Sequence, residues 1–417
     1  MKLALFGVGN AGIRLANAIC AVQHQQGIDF TGEHVAAFNT ASAAARNATH
    51  IPADRHLLLG DTHPNIITES PAADDDEARR QIKPGVAGDP ELAVTVGREE
   101  LPEMRREIDR IDETEIDASL VVVGLGGGTG AGIGSILVEE LNTIYESPVY
   151  VLGILPAANE SAHRQLNAAR AVRTLVPMAD AVIAVDNEEW KTGDGPVADQ
   201  YDAINERIAT RVVSLFGASE SDKSAASEVH MDPSDIRRTL AVGGLASIGY
   251  AEIDLTSDDS GLLAWLRQLF GNGRDEERVE SIDAAAIKGL VSRTIESTLT
   301  LPCSVDSADR GLLILSGPPE TLSRKGFEAG RHLLEEQTDT VDVLAGDEPL
   351  PAATQIRATV LLSNVTDVDR IEAIQQRAVD SLTGDAAGDL PNTSTSDSAE
   401  SVGHADDDTV SHSSNRS

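Results

Sequence analysis

The sequence predicts an α/β protein in which a parallel sheet carries helices on both faces. Three observations support this prediction. Short apolar runs alternate with helical patterns from the first residues onward, as expected for strands joined by crossover helices. Two glycine-rich stretches, at 7–12 and 125–132, each follow an apolar run and precede a helical pattern. A long helical pattern near residues 198–217 separates two series of elements, so we expect two domains joined by this helix.

The first domain is expected to span residues 1–197. Its strands are predicted from short, continuous apolar runs, and its helices from apolar residues three or four positions apart. The predicted strands are Leu3–Phe6, Val35–Phe38, Leu57–Leu59, Leu120–Gly124, Val149–Leu155 and Ala181–Val185. The predicted helices are Ile13–Val22, one helix covering Leu92 to Ile111, Ile133–Tyr145 and Ser161–Leu175.

The second domain is expected to span residues 218–383, after the central helix at 198–217. A small, polar segment at 218–228 indicates a loop. The predicted helices are Pro233–Leu240, Ala284–Ser297, Pro319–Glu336 and Asp369–Leu382, and the predicted strands are Ala246–Ile253, Gly311–Ser316, Thr340–Leu344 and Ile356–Leu362. Apolar residues nearly vanish beyond Gly384, so residues 384–417 are predicted to form a disordered, acidic tail.

Composition restricts the partners and the compartment. The chain has 68 acidic and 33 basic residues and a formal net charge of −35, so we expect no nucleic-acid partner, because phosphate binding needs a basic surface. Only six of the basic residues are lysine, and this balance indicates a protein adapted to a cytoplasm rich in salt. Two cysteines are too few for a disulfide framework or a thiolate metal site. Neither a signal peptide nor a transmembrane segment is expected, which predicts a cytoplasmic protein.

The first glycine-rich stretch, Gly7–Gly12, lies between a predicted strand and a predicted helix. Here backbone N–H groups can approach a diphosphate at the helix N-terminus. A dinucleotide-binding fold also needs an acidic residue at the end of the second strand, where the sequence has Asn39 and Thr40. This weakens the alternative of a nicotinamide-dependent oxidoreductase. A glycine turn that only packs the helix against the sheet is the other alternative.

The second stretch, Leu125–Gly132, contains five glycines and one threonine between a buried strand and a helix. Each glycine costs about 0.5–1 kcal/mol relative to alanine inside a regular element, so packing alone does not explain five of them. A nest of unblocked N–H groups at a helix N-terminus binds polyphosphate, and the Thr129 hydroxyl adds a donor. Because no Walker lysine follows, the stretch is not a P-loop.

Residues Gly126–Gly132, with the sequence Gly-Gly-Gly-Thr-Gly-Ala-Gly, resemble the signature of the tubulin/FtsZ cytoskeletal GTPases. Gly7–Cys20 resembles the first nucleotide loop and helix of tubulin. Six further stretches resemble the haloarchaeal CetZ branch of that family: Phe38–Ala41, Gly153–Pro156, Leu166–Arg170, Asp186–Trp190, Leu315–Glu320 and Pro349–Pro351. The resemblance covers about residues 1–382 and implies a parallel-sheet GTPase domain joined by a central helix to a smaller α/β domain.

The resemblance also implies an activity. It suggests a protein that binds GTP or GDP with Mg²⁺, polymerises head to tail into protofilaments, hydrolyses GTP at each junction, and acts in cell shape or motility. A guanine-nucleotide-binding protein that does not polymerise, with a degenerate catalytic loop, is the alternative.

Nucleotide-binding residues are implied by the same resemblance. One loop would contact the α- and β-phosphates, a second the β- and γ-phosphates, and a third would sense the γ-phosphate, while a glutamate would hold the ribose and two asparagines and a tyrosine the guanine. The first loop has Gly9, Asn10 and Ala11, the second has Gly126, Gly127, Gly128, Thr129 and Gly130, and the third has Gly85, Gly88 and Asp89. The ribose-binding glutamate is Glu160, with Arg164 four residues further on, and the residues for the guanine are Asn187, Asn205 and Tyr201. A surface ion pair between Glu160 and Arg164 is an alternative for those two, and chance packing is one for Tyr201 and Asn205.

Catalytic residues are implied in the segment after the central helix. In the family, acidic residues of this segment enter the next subunit's pocket and orient the attacking water. The matching residues are Glu228, Asp232 and Asp235. Helix capping is the alternative for the two aspartates, and a solvated loop charge is the alternative for the glutamate.

Overall fold

A computed structural model of the chain describes residues 1–66, 84–191, 200–220, 231–255, 276–297, 299–340 and 342–388. The strands of this part are β1 (Leu3–Val8), β2 (Val35–Asn39), β3 (His56–Leu58), β4 (Ala118–Gly124), β5 (Val149–Leu155), β6 (Ala181–Asp186), β7 (Leu245–Asp254), β8 (Arg310–Gly317), β9 (Val343–Pro349) and β10 (Gln355–Ser363). The helices are α1 (Gly9–Gln26), α2 (Ser42–Asn47), α3 (Pro90–Glu99), α4 (Leu101–Ile108), α5 (Gly128–Ile144), α6 (Ala162–Leu175), α7 (Asn187–Trp190), α8 (Tyr201–Phe216), α9 (Pro233–Leu240), α10 (Glu276–Ser297), α11 (Arg324–Thr338) and α12 (Asp369–Gly388).

The ten strands form one sheet in the order β3-β2-β1-β4-β5-β6-β7-β10-β8-β9. Strands β1 to β6 are all parallel, which confirms the predicted parallel sheet. Strand β10 is antiparallel to both β7 and β8, while β9 is parallel to β8. The two sets of strands meet through a short parallel ladder between β6 and β7, with the pairs Val182–Leu245 and Ile183–Ala246. The predicted domain bounds stay a prediction.

Both faces of the sheet are covered by a hydrophobic core. Alternate residues of β1 belong to opposite cores: Leu3 and Leu5 pack on the side of α1 and α8, and Phe6 on the side of α5. This alternation explains why the strands are apolar on both faces. The free cysteines fit the same picture, since Cys20 is buried in the core and Cys303 is half-buried against it.

Several boundaries differ from the prediction. The single helix expected from Leu92 to Ile111 is two helices, α3 and α4, and Pro102 lies in the first turn of α4, where its missing N–H and its restriction on Leu101 interrupt a continuous helix. The central helix begins at Tyr201, and its predicted first residues, 198 and 199, lie outside the described residues.

The C-terminal boundary also differs. Helix α12 continues to Gly388, past the predicted start of the tail at Gly384. The rest of the predicted disordered tail lies outside the described residues. None of the helices in the described part of the chain combines the length and apolar character needed to cross a bilayer.

The central helix α8 runs from the carboxyl ends of the parallel strands to their amino ends. It follows β6, whose carboxyl end lies beside those of β1, β4 and β5. Its last residue, Phe216, accepts a hydrogen bond of 3.0 Å through its carbonyl oxygen from the Met1 amino group, at the start of β1. A helix of 16 residues spans about 24 Å. The segment after α8 therefore begins at the amino edge of the parallel strands.

Candidate nucleotide-binding site

The two glycine-rich stretches meet at the carboxyl edge of β1 and β4. The first loop (residues 7–12) turns into α1 at Gly9, which has φ +70°, a conformation that favours glycine. A Cβ added to Gly9 would lie 3.0 Å from the backbone nitrogen of Gly130 in the second loop (residues 124–130). The structure therefore brings the predicted phosphate-binding residues of these loops together, each at the N-terminus of a helix.

The second loop is closely packed at two of its glycines and open at a third. A Cβ on Gly128 would lie 2.6 Å from the nitrogen of Asp89, and one on Gly130 would lie 2.6 Å from the carbonyl oxygen of Gly124. At Gly127 the nearest atom is 3.5 Å away, which is ordinary contact distance. Packing therefore requires glycine at 128 and 130, whereas Gly127 has room for a Cβ.

Polar side chains join the first two loops to the end of β2. Asn39 donates through Nδ2 to Oδ1 of Asn10 at 2.8 Å, and the hydroxyls of Thr40 and Thr129 are 2.8 Å apart. The Nδ2 group of Asn10 makes no hydrogen bond to another described residue, so it can donate to a phosphate. Sequence reasoning did not include Asn39 or Thr40 in the site. Their position at the carboxyl end of a parallel strand was the available signal.

The third loop (residues 85–89) lies against the second. Gly85 and Gly88 have φ +72° and +91°, and Ala87 between them has φ +55°, a region that a residue with a Cβ rarely adopts. Asp89 accepts hydrogen bonds of 2.9 and 3.0 Å from backbone N–H groups in the first turn of α3. Its carboxylate is therefore an N-cap of that helix.

Two residues of α6 hold the third loop in place. Asn167, which is 1% exposed, donates through Nδ2 to the carbonyl oxygen of Gly88 at 2.9 Å and to that of Gly126 at 3.4 Å. The Nε2 atom of His163 is 3.0 Å from the same Gly88 oxygen. Asn167 thus bridges the second and third loops. Sequence reasoning noted its stretch only as part of the family resemblance and assigned it no role.

Three of the residues predicted to contact the nucleoside are neighbours. Glu160 accepts a hydrogen bond of 2.8 Å from the Ala157 backbone and forms an ion pair with Arg164. Burial and the nearby Glu160 carboxylate raise the pKa of the Tyr201 phenol, and the Arg164 guanidinium opposes this shift. The ion pair that was the alternative for Glu160 and Arg164 is thus present, and it lies beside the aromatic residue predicted to stack on the base.

The two predicted base-reading amides lie on separate helices. Asn187 is the buried first residue of α7 and follows Asp186, whose side chain caps that helix. Asn205 is half-buried on α8, one turn after Tyr201. Burial raises the pKa of Asp186, and Arg370 opposes the shift. Both amides occupy helices that begin at the carboxyl edge of the sheet.

The two predicted catalytic aspartates are not near the glycine loops. Asp232 and Asp235 form a capping box at the start of α9: Asp232 accepts from the Ser234 backbone at 2.8 Å, and Asp235 accepts from the Asp232 backbone at 3.2 Å. After α9 the chain reaches the amino end of β6, where Gly244 accepts a hydrogen bond of 2.9 Å from Val182. Helix α9 is therefore on the amino side of the sheet. Glu228 lies outside the described residues.

The three loops form a phosphate cradle, and its oxygen atoms suit a Mg²⁺ ion that binds together with a nucleotide. Within the described ranges, no group of three or more His, Cys, Asp and Glu side chains is arranged to hold a metal. Mg²⁺ at nucleotide sites keeps several waters and binds phosphate oxygens, so it needs no protein cage. The paired hydroxyls of Thr40 and Thr129 are suitable oxygen partners for such an ion or for its waters.

Two protein-family models match consecutive parts of the chain. Residues 2–193 match the model of the tubulin/FtsZ family GTPase domain, and residues 194–380 match that of the tubulin-like CetZ C-terminal domain. Tubulin-like protein CetZ1 of Haloferax volcanii is 37% identical over 384 residues, which is 91% of this chain and 92% of CetZ1.

Solved structures show the same similarity. The GDP-bound monomer of Haloferax volcanii CetZ1 superposes with a TM-score of 0.76 at 35% identity and covers 92% of this chain and 100% of its own. The GTPγS-bound protofilament of CetZ2 from the same organism gives 0.74 at 31% identity, covering 93% of this chain and 100% of that one. The chain therefore belongs to the tubulin/FtsZ family and carries the CetZ type of C-terminal domain.

Proposed function

We propose that this protein is a cytoplasmic cytoskeletal GTPase that polymerises head to tail and helps to control cell shape or motility. The nucleotide would lie at the carboxyl edge of the sheet, with its phosphates in the cradle of three loops and its guanosine beside Glu160, Tyr201 and the two amides. Support comes from the family, and from the relatives solved with GDP and as a GTPγS-bound protofilament.

The observation that carries the proposal is the separation of the cradle from Asp232 and Asp235. These carboxylates lie at the amino ends of the parallel strands, whereas the cradle lies at their carboxyl ends. Helix α8 leads the chain about 24 Å from one end to the other before α9 begins. They do not reach the phosphates of their own chain. A second copy stacked head to tail presents its amino edge to the cradle, so that Asp232, Asp235 and Glu228 act between subunits.

Each part of the site has a proposed role in binding and hydrolysis. Backbone N–H groups at the starts of α1 and α5 bind phosphate oxygens, and the Asn10 amide adds a donor. The third loop contacts the γ-phosphate. The Thr40 and Thr129 hydroxyls would hold a Mg²⁺ ion or its waters, and the ion would supply positive charge to the phosphates. Carboxylates of the following subunit orient the attacking water. Hydrolysis therefore depends on assembly.

A comparison of amide and alanine variants tests this proposal. Asparagine caps a helix as well as aspartate does, so Asp232→Asn and Asp235→Asn keep the capping box but lose the carboxylates. We expect both to melt like the wild type, to bind GTP and to pellet with it, and to hydrolyse it at least about tenfold more slowly, a barrier increase of about 1.4 kcal/mol. The alanine variants lose about 1 kcal/mol of stability in addition.

A mixing experiment tests whether the site is shared. Wild-type protein doped with Glu228→Ala should lose activity faster than the mutant fraction rises, because one mutant loop disables a wild-type pocket. Activity that falls only in proportion to the mutant fraction, together with normal hydrolysis by both asparagine variants, would contradict catalysis between subunits. Binding of GTP and GDP without pelleting in either nucleotide, and without turnover, would favour the alternative of a nucleotide-binding protein that does not polymerise.

A further inference from the structure

The C-terminal helix α12 reaches the nucleotide edge of the sheet from the far end of the chain. It packs against α6 and directs two arginines at the loop between β5 and α6 (residues 156–160). Arg370 donates through Nη2 to the carbonyl oxygen of Pro156, and Arg377 donates through Nη1 to that of Ala158 at 2.9 Å. This loop ends in Glu160, the residue predicted to hold the ribose.

Arg370 also binds Asp186, the residue directly before α7, which carries the predicted guanine-binding Asn187. Its Nε donates to Oδ1 of Asp186 at 3.1 Å, and the side chains of the two residues are only 11% and 6% exposed. The same Asp186 oxygen accepts a hydrogen bond of 3.1 Å from the backbone of Glu188 and so fixes α7, whose first residue is Asn187. One buried guanidinium thus holds the carboxyl ends of both β5 and β6.

A third contact joins these two segments directly. The carboxylate of Glu188 accepts a hydrogen bond of 2.8 Å from the backbone N–H of Ala158. The 156–160 loop and α7 therefore form one hydrogen-bonded unit, and α12 contacts that unit at Pro156, Ala158 and Asp186. None of these hydrogen bonds is made to a residue of the phosphate cradle.

We propose that Arg370 is a positioning residue for the nucleotide, and that α12 sets the affinity for the guanosine half of GTP and GDP through the 156–160 loop and α7. The inference rests on the proposed function and extends it, because it assigns a binding role to a helix that carries none of the predicted nucleotide-binding residues. Both GTP and GDP contain guanosine. Loss of Arg370 should therefore weaken both nucleotides by the same factor and leave the preference between them unchanged.

The test compares Arg370→Met with two further variants of the full chain. Arg370→Met leaves Asp186 as a buried carboxylate without its partner, which destabilises the fold. The double variant Arg370→Met/Asp186→Asn removes that charge while keeping an oxygen that caps α7, so it should recover most of the melting temperature. Arg331→Met is the matched control, because the ion pair that Arg331 forms within the described part of the chain is a surface pair with Glu335, 3.3 Å away on α11.

Affinities for fluorescent GDP and GTP analogues, and the rate of GDP release, are measured beside the melting temperature. We expect the double variant to bind both nucleotides at least about fivefold more weakly, to release GDP faster, and to keep the wild-type ratio of the two affinities. Arg331→Met should match the wild type. Arg370→Lys should lie between, since one ammonium cannot reproduce the two-sided contact of a guanidinium.

The outcomes separate this inference from the proposed function. If the double variant melts and binds both nucleotides like the wild type, the positioning role is wrong while nucleotide binding stands. A change in the ratio of GTP to GDP affinity would also overturn it, because Arg370 and Arg377 donate to Pro156, Ala158 and Asp186 and not to the phosphate loops. Failure of the wild-type protein to bind either nucleotide would overturn the proposed function itself.

Discussion

Replacing Gly127 by valine tests the phosphate cradle without disturbing the fold. A Cβ at this position meets only the carbonyl oxygen of Gly124, at 3.5 Å, and the φ of −91° is accessible to any L-residue. Gly127 is also the N-cap of α5, where valine is less favourable than glycine by no more than about 1 kcal/mol. The variant should therefore fold with nearly the stability of the wild type.

The valine side chain at position 127 should block phosphate binding. Its two methyl groups would fill the space beside the N–H groups at the start of α5, where phosphate oxygens are expected to lie. A hydrogen bond to a charged group contributes about 1.5–3 kcal/mol, so losing even one of them lowers affinity by more than about tenfold.

Titration with GTP and GDP analogues measures the nucleotide affinity of Gly127→Val, and a thermal melt measures its stability. Gly97→Ala is the control, because its Cβ would meet only side-chain carbons of Ile133 and Ile136 at 3.5 Å, within the core. Wild-type affinity in Gly127→Val would refute the placement of the phosphates. A variant that does not fold would instead show that the open space beside Gly127 has been misread, and Gly127→Ala then repeats the test with a smaller side chain.

Two further predictions follow from the loops and from the charge. Asn167→Leu removes the donor that links Gly88 to Gly126. GTP affinity should fall several-fold and GDP affinity by a smaller factor, because GDP contacts the second loop but lacks the γ-phosphate expected at the third. Equal loss for both nucleotides would contradict a γ-phosphate role for the third loop. Assembly should require salt near molar concentration, because subunits with a formal charge of −35 repel one another until the Debye length falls to about 3 Å. Light scattering over a KCl series tests this, and equal polymerisation at about 0.1 M would show that the acidic surface has been misinterpreted.

The sequence was sufficient to predict the parts of the site that depend on neighbouring residues. Glycine is needed at 130 because the carbonyl oxygen of Gly124 lies 2.6 Å from the missing Cβ, and such a requirement leaves a visible cluster in the sequence. The order of strands and helices followed from apolar periodicity for the same local reason. Pro102 was also a local signal, and it would have divided the helix predicted across it.

Contacts between distant parts of the chain could not be predicted in this way. Asn167 binds Gly88 from 79 residues away, and Arg370 binds Asp186 from 184 residues away. An arginine on an amphipathic helix has the same local pattern whether it faces water or a buried aspartate, since only the packing of α12 against α6 decides which. The two-pair ladder between β6 and β7 is likewise a result of tertiary packing.

The second half of the chain places different elements at the two ends of the parallel strands. Helix α8 delivers the capping-box carboxylates to the amino edge, and α12 returns to the carboxyl edge to hold the 156–160 loop and Asp186. If the position of α12 changes nucleotide affinity by a given free energy, thermodynamic linkage requires bound nucleotide to stabilise that position of α12 by the same amount. Guanosine binding should thus order the contact between α12 and α6. Loss of Arg370 should remove this coupling without altering the phosphate loops.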